Sequence, residues 1–407
     1  MTFIGRDSDL RQLQECFTER RAQLVFVYGR RRVGKTETLI QLAKDKETLF
    51  FAAQNATKDE QLASFSRLMF EAGAPGKDYL SQYPSWERAL TELTRLPEPS
   101  DGGRRLVIFD EFPYLVKSDP SLPSVLQNLW DHTLRHANLM IVICGSAMSF
   151  IEKELLGEKS PLYGRATGIL KMLPMPYWDA AQFFPNYSSE DKALAYAILG
   201  GIPRYLEEFD PDETIDANVK RHILRRIAPL YSEVEFLLHE LRETAKYNSV
   251  IRAIALGATS LNEIATHTMM ANATVSSYLA NLMELGIVER EFPVTAKPKE
   301  RAKGSRGLYQ LNDNFFRFWY SYRSELERGD VEGVYERHIK PVLHDFAGKP
   351  FEGLCREWMW RESAAGRLPF RARAVGRWWD RQDEIDVMAV DNAADAAIVG
   401  ECKFRNA

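Results

Sequence analysis

Eight residues near the start of the chain limit what it can fold into. Gly29-Arg30-Arg31-Arg32-Val33-Gly34-Lys35-Thr36 has the form GxxxxGKT. It follows QLVFVYG (23–29), an apolar run that reads as a buried strand, and opens a helical pattern from about Lys35. Strand, Gly-rich turn and helix together are the context in which this spacing makes a phosphate loop. In such a loop the backbone N–H groups and the helix N-terminus point at phosphate oxygens. Lys35 adds positive charge at the β- and γ-phosphates, and the Thr36 hydroxyl can ligate Mg²⁺. The expected ligands are therefore a nucleoside triphosphate and Mg²⁺.

Further short apolar runs follow at TLFFAAQ (48–54), RLVIFDEF (105–112) and LMIVICGS (139–146), with helical patterns between them. That rhythm predicts an α/β fold, a parallel P-loop sheet with helices on both faces. The third run ends in Asp110-Glu111. Asp110 fits as a holder of Mg²⁺ and Glu111 as the base that orients the attacking water. Ser146 ends the next strand, where a polar side chain faces the crevice beyond the strand ends. It is a candidate for sensing the γ-phosphate or positioning water; the plain alternative is a small residue in a strand–helix turn.

Composition narrows the rest. The 407 residues are 45% apolar and 27% charged, enough apolar material for packed cores and too much for a disordered chain. No run approaches the ~20 apolar residues of a membrane helix, and MTFIGRDSDL lacks the pattern of a secretory signal. Cys16, Cys144, Cys355 and Cys402 are scattered without CxxC pairing. A disulfide framework is not expected, and a cytoplasmic location is. The net charge of −4 gives no bulk attraction to nucleic acid, so any such contact must come from local patches.

One such patch lies in the middle of the chain. SVIRAIAL, LNEIATHT and ATVSSYLANLMELGIVERE have the lengths of a three-helix helix-turn-helix unit within residues 246–312. Asn272, Thr274, Ser276 and Ser277 would open its recognition helix. Lys297, Lys299, Arg301, Lys303 and Arg306 then follow in a stretch read as a hairpin wing that lies on DNA phosphates. A wing that contacts protein is the alternative. FFRFWYSYRSEL (315–326) reads as a helix whose aromatic residues pack in a core.

FIGR (3–6), GRRRVGKT, IFDEFPYL, CGSAMSF, KSPLYGR (159–165) and GGIPRYL (200–206) together resemble the archaeal-type ATPases, a STAND branch of the AAA-related P-loop NTPases. The resemblance spans about residues 1–310. It implies an ATP-dependent switch with Lys35, Thr36, Asp110 and Glu111 at the nucleotide site. It also implies a catalytic or stabilising role for Arg165 and places Pro203 near the nucleotide base.

The last segment carries a compact set of charges. EIDVMAVD and AAIVGECKF read as two strands of a hairpin, and alternation puts Glu401 and Lys403 on one face. Two carboxylates and a lysine can hold a divalent metal and activate water for phosphodiester attack. Asp386, Glu401 and Lys403, with Glu352 on a preceding helix, resemble the PD-(D/E)XK nuclease core. The usual core continues with a helix and a strand, whereas the sequence runs only four residues past Lys403. The expectation is thus a truncated or degenerate restriction-endonuclease-like domain. The predicted layout is an ATPase core (1–174), a helical lid (175–245), a winged helix (246–312), a helical connector (313–339) and this domain (340–407). The expected function is an ATP-hydrolysing switch coupled to DNA binding and metal-dependent cleavage, or a DNA- or protein-binding regulator that cuts nothing.

Overall fold

The computed structural model describes residues 3–100, 102–239, 241, 243–304, 306–326, 330–391, 393 and 395–404. The chain divides into two compact units, Met1–Leu173 and Pro174–Ala407.

In the first unit, β1 (Gln23–Tyr28), β2 (Thr48–Ala52), β3 (Arg105–Asp110), β4 (Leu139–Gly145) and β5 (Gly168–Lys171) form one sheet in the order β2-β3-β4-β1-β5. Every pairing is parallel. Each residue of β1, β3 and β4 is buried, as expected of strands covered on both faces. Alternate residues feed two layers. Leu24, Phe26 and Tyr28 join Phe51, Phe65, Trp86 and Phe109 in one core. Val25 and Val27 are equally buried on the other face, and the helices Asp7–Thr18 and Lys35–Ala43 pack on β1 and β3. Phe65 anchors the aromatic side of the core, with ring centroids 5.3 Å from Phe51, 5.3 Å from Trp86 and 5.4 Å from Phe109.

The sequence pattern does not announce β5, for a physical reason. GILK is four residues long at the sheet's edge and only half-buried on alternate positions. It offers none of the continuous apolar signal that marks the inner strands.

The second unit is mainly helical. Helices Thr244–Ala255, Leu261–Thr268 and Asn272–Glu284 form the three-helix unit. Ser260 and Glu263 make a reciprocal capping box at the second helix, which fixes its start. The hairpin β6 (Val288–Glu291) and β7 (Leu308–Leu311) completes a winged helix. Its tip differs from a simple wing, because Pro298–Lys303 forms a short helix between the strands. Pro298 at its first turn and Glu300 capping its start favour that turn of helix over extended chain. The helix Asn314–Leu326 follows, with Phe315, Phe316, Phe318 and Trp319 fully buried. The long helix Leu343–Ala364 then packs on an antiparallel sheet of β8 (Ala374–Trp379), β9 (Glu384–Asp391) and β10 (Ala396–Gly400), in the order β10-β9-β8. No helix among the described residues is long and apolar enough to cross a membrane.

Truncating Phe65 removes the ring shared by three aromatic partners. Phe65→Ala is expected to destabilise the first unit by about 3–5 kcal/mol, read as a lower urea midpoint of its unfolding transition.

Candidate nucleotide site

The loop between β1 and the helix Lys35–Ala43 is shaped by backbone constraints. Arg32 (φ 70°) and Gly34 (φ 90°) both sit in the left-handed region, which turns the chain back over the helix start. Gly29 has no room for a side chain, since a Cβ would stand 2.3 Å from the carbonyl oxygen of Met172. Val33 is fully buried beneath the loop. Lys35 is buried as well, and its ammonium donates to the carbonyls of Gly29 (2.9 Å) and Arg30 (3.0 Å). Burial pushes the Lys35 pKa down, while Cys144, Glu111 and Asp110 act in the opposite direction. Arg30 is buried and Arg31 and Arg32 are exposed along the same loop.

The ends of β3 and β4 bring the acids to this loop. The Thr36 hydroxyl donates to Asp110 Oδ2 at 2.8 Å. Asp110 Oδ1 accepts the Glu111 N–H at 3.0 Å, and Glu111 itself adopts φ 52° as it caps the helix Phe112–Ser118. The Ser146 hydroxyl meets both Glu111 carboxylate oxygens, at 3.0 and 3.1 Å, and its N–H donates to one of them at 3.3 Å. Cys144 lies fully buried below, its thiol pKa pushed well up by burial and then by the charge of Asp110. Thr36 and Asp110 offer hard oxygen donors from two separate elements in direct contact. That is the donor type Mg²⁺ takes, so the residues fit the ion.

Arg165 stands in a different arrangement. It grips Asp131 with two nitrogens, at 2.9 Å from Nε and 2.7 Å from Nη2, and donates to the Pro161 and Tyr163 carbonyls. Asp131 lies on the helix Leu122–His132, and nothing in the sequence singles it out from an ordinary solvent-facing pattern. Pro203, in the second unit, is a buried first-turn residue of the helix Pro203–Leu206. Arg6 enters the sequence reading only as part of a motif, yet it is buried and bonded to the loop through the Val33 carbonyl at 2.7 Å.

The C-terminal charges are partly brought together. Asp386 on β9 accepts the Cys402 N–H at 2.8 Å, just past the paired residues Val387 and Gly400. Glu401 is 73% exposed and pairs with Lys403 at 2.8 Å. Glu352 is engaged elsewhere: Lys349 lies 2.6 Å away, and Arg356 and Arg377 each 3.7 Å. Among the described residues no group of three or more His, Cys, Asp or Glu is arranged to hold a metal ion. In the winged helix, Asn272 bonds Asn262 at 2.9 Å, Thr274 is half-buried, and Ser276 and Ser277 are exposed. Lys297, Lys299, Arg301 and Lys303 are exposed on or beside the tip helix, and Arg306 donates to the Trp379 carbonyl.

Comparison with known proteins gives three family matches along the chain. Residues 3–209 match the family described as an ATPase domain predominantly from Archaea. Residues 248–291 match the IclR helix-turn-helix domain, and residues 315–407 a family of archaeal and bacterial proteins of unknown function. The uncharacterized protein MJECL04 of Methanocaldococcus jannaschii is 30% identical over 410 aligned residues, covering 99% of this chain and 88% of that one. Among solved structures, the Walker-type ATPase PABY2304 of Pyrococcus abyssi superposes with a TM-score of 0.58 at 20% identity. That match covers 78% of this chain and 96% of the other and is a likeness of fold. With its phosphate loop, its five-stranded parallel sheet and this match across half its length, the chain belongs to the family of ATPase domains found predominantly in Archaea.

Proposed function

We propose that ATP hydrolysis in the first unit drives a switch whose output is DNA binding by the winged helix. The observation that carries the reading is the pair of contacts at the strand ends, Thr36 with Asp110 and Ser146 with Glu111. In this reading the loop amides from Gly29 to Thr36 hold the phosphates and Lys35 neutralises their charge. Thr36 and Asp110 would hold Mg²⁺, which neutralises charge on the phosphate oxygens. Glu111 orients water for attack. Ser146 has one hydroxyl proton to give. It can give it to Glu111 or to a γ-phosphate oxygen, so phosphate arrival loosens Glu111, which keeps the Ser146 N–H at 3.3 Å. Arg165, fixed by Asp131, is assigned a stabilising charge.

The surface of the winged helix supports a phosphate-dominated contact. The recognition helix Asn272–Glu284 carries no Lys or Arg, whereas the tip helix of the wing is dense in them. Such a surface grips the DNA backbone more than it reads bases. For the C-terminal domain, the cations around Glu352 and the exposed Glu401–Lys403 pair favour a domain that binds without cutting.

Lys35→Ala is expected to reduce ATP turnover to background, and unchanged turnover would remove the phosphate-loop assignment. Glu111→Gln should keep nucleotide affinity while lowering kcat by about a hundredfold or more. Neutralising Lys297, Lys299, Arg301 and Lys303 together should flatten the salt dependence of DNA affinity, the log–log slope falling by about one for each phosphate that is no longer neutralised. An unaltered slope would direct the winged helix to a protein partner instead. In a plasmid nicking assay with Mg²⁺ or Mn²⁺, wild type and Asp386→Ala should be equally inactive; cleavage by the wild type that Asp386→Ala abolishes would restore the nuclease reading.

A further inference from the structure

Arg6 occupies a position that none of the site chemistry uses. It is buried and left-handed (φ 65°) at the start of the helix Asp7–Thr18. One nitrogen, Nη2, lies 2.7 Å from the carbonyl of Val33 and 2.7 Å from the carbonyl of Leu173. The other, Nη1, donates to Asp9 at 3.1 Å. Val33 lies inside the phosphate loop, and Leu173 is the last residue of the first unit, two past the end of β5. The same stretch also meets the last residue of β1 and the first of the loop. The Met172 N–H donates to the Tyr28 carbonyl at 2.7 Å, and Gly29 is close enough to the Met172 carbonyl to forbid a side chain.

We infer that Arg6 is a positioning residue that ties the shape of the phosphate loop to the backbone leaving the nucleotide unit at Leu173. A guanidinium is planar and permanently charged, and its nitrogens sit in fixed relative directions. With Asp9 holding one nitrogen, the other cannot follow a shift of the Val33 carbonyl and keep Leu173 unless Leu173 shifts as well. Movement in the loop is thereby passed to the exit segment without passing through the strands. The carbonyls that Arg6 holds belong to the loop and to the exit segment, so its action is on geometry. The inference rests on the nucleotide-switch reading of this unit, and the test separates the two.

Hydrogen exchange of the full chain, with and without Mg²⁺ and a slowly hydrolysed ATP analogue, reads segments 29–36 and 168–173 separately. In the wild type, nucleotide should slow exchange in both. In Arg6→Met, which keeps the apolar stem and removes the donors, protection at 29–36 should persist. The nucleotide response at 168–173 should fall by about tenfold or more, the equivalent of a charge-assisted hydrogen bond. Arg6→Lys returns the charge without the planar fork and should leave that response largely lost. Peptides from β1, β3 and β4 must exchange as in the wild type, which separates broken coupling from broken folding. A full response at 168–173 in Arg6→Met would overturn the inference, as would a wild-type exit segment indifferent to nucleotide while the loop is protected. A full response in Arg6→Lys would also count against it, since a lone ammonium has no fixed fork. Absence of loop protection in the wild type would instead sink the nucleotide reading itself.

Discussion

A phosphate loop works only if its backbone amides stay aimed at one point, and that stiffness has to come from behind the loop. Here it comes from β1, which lies between β4 and β5 with every residue buried. On the β5 side, the Met172 N–H holds the Tyr28 carbonyl and the Met172 carbonyl closes over Gly29. Beneath the loop, Val33 is sealed in the core and Gly34 accepts from both the backbone and hydroxyl of Thr38. The left-handed turns at Arg32 and Gly34 are thus over-determined by their surroundings. The positions of Asp110 and Ser146 follow from the same sheet, since parallel strands end together and point their final side chains into one crevice.

The second unit is organised around charge. Glu291 of β6 meets Arg377 of β8 at 2.9 Å and Arg356 of the long helix at 3.8 Å. Glu352 shares both arginines and takes Lys349 as well. Close by, burial pushes the Glu289 pKa up and the Arg317 pKa down, so these groups feel a low-dielectric setting. Removing one member of such a network strands its partners, at a cost of about 3–5 kcal/mol. The wing and the C-terminal helix are therefore locked through their ions. Glu352 is fixed by that role, which explains why it does not complete a metal site with Asp386.

The inner strands were legible in the sequence because burial on both faces leaves an unbroken apolar run. QLVFVY, RLVIFD and LMIVICG carry that mark from end to end. The aromatic helix was legible for a similar reason, since Phe315, Phe316 and Trp319 have no role on a surface. What sequence spacing does not carry is pairing between distant side chains. Nothing in FIGR says that Arg6 reaches Val33 and Leu173, and nothing near Arg165 points to Asp131. At the C-terminus the order of helix and hairpin was readable, but no spacing in the sequence says that Lys349, Arg356 and Arg377 converge on Glu352.

The proposed Ser146 exchange is small in energy, and that is what makes it suitable for a switch. A hydroxyl donating to a carboxylate contributes roughly 1.5–3 kcal/mol. Moving it to a phosphate oxygen replaces one charge-assisted bond with another of the same kind, so the exchange is nearly neutral. Glu111 is held meanwhile in a left-handed backbone that costs about 1–2 kcal/mol. A ligand shifts an equilibrium only by its difference in affinity for the two states. ADP and ATP meet most of the same loop amides, so those contacts distinguish them little, whereas Lys35 is assigned to the β- and γ-phosphates. The difference must come from contacts that the γ-phosphate adds, and in the proposed function Ser146 supplies one of them. A shift from mostly one state to mostly the other needs about 5.5 kcal/mol, more than one exchanged hydrogen bond supplies. In the proposed switch the γ-phosphate therefore acts on several small contacts at once, with the loosening of Glu111 as one.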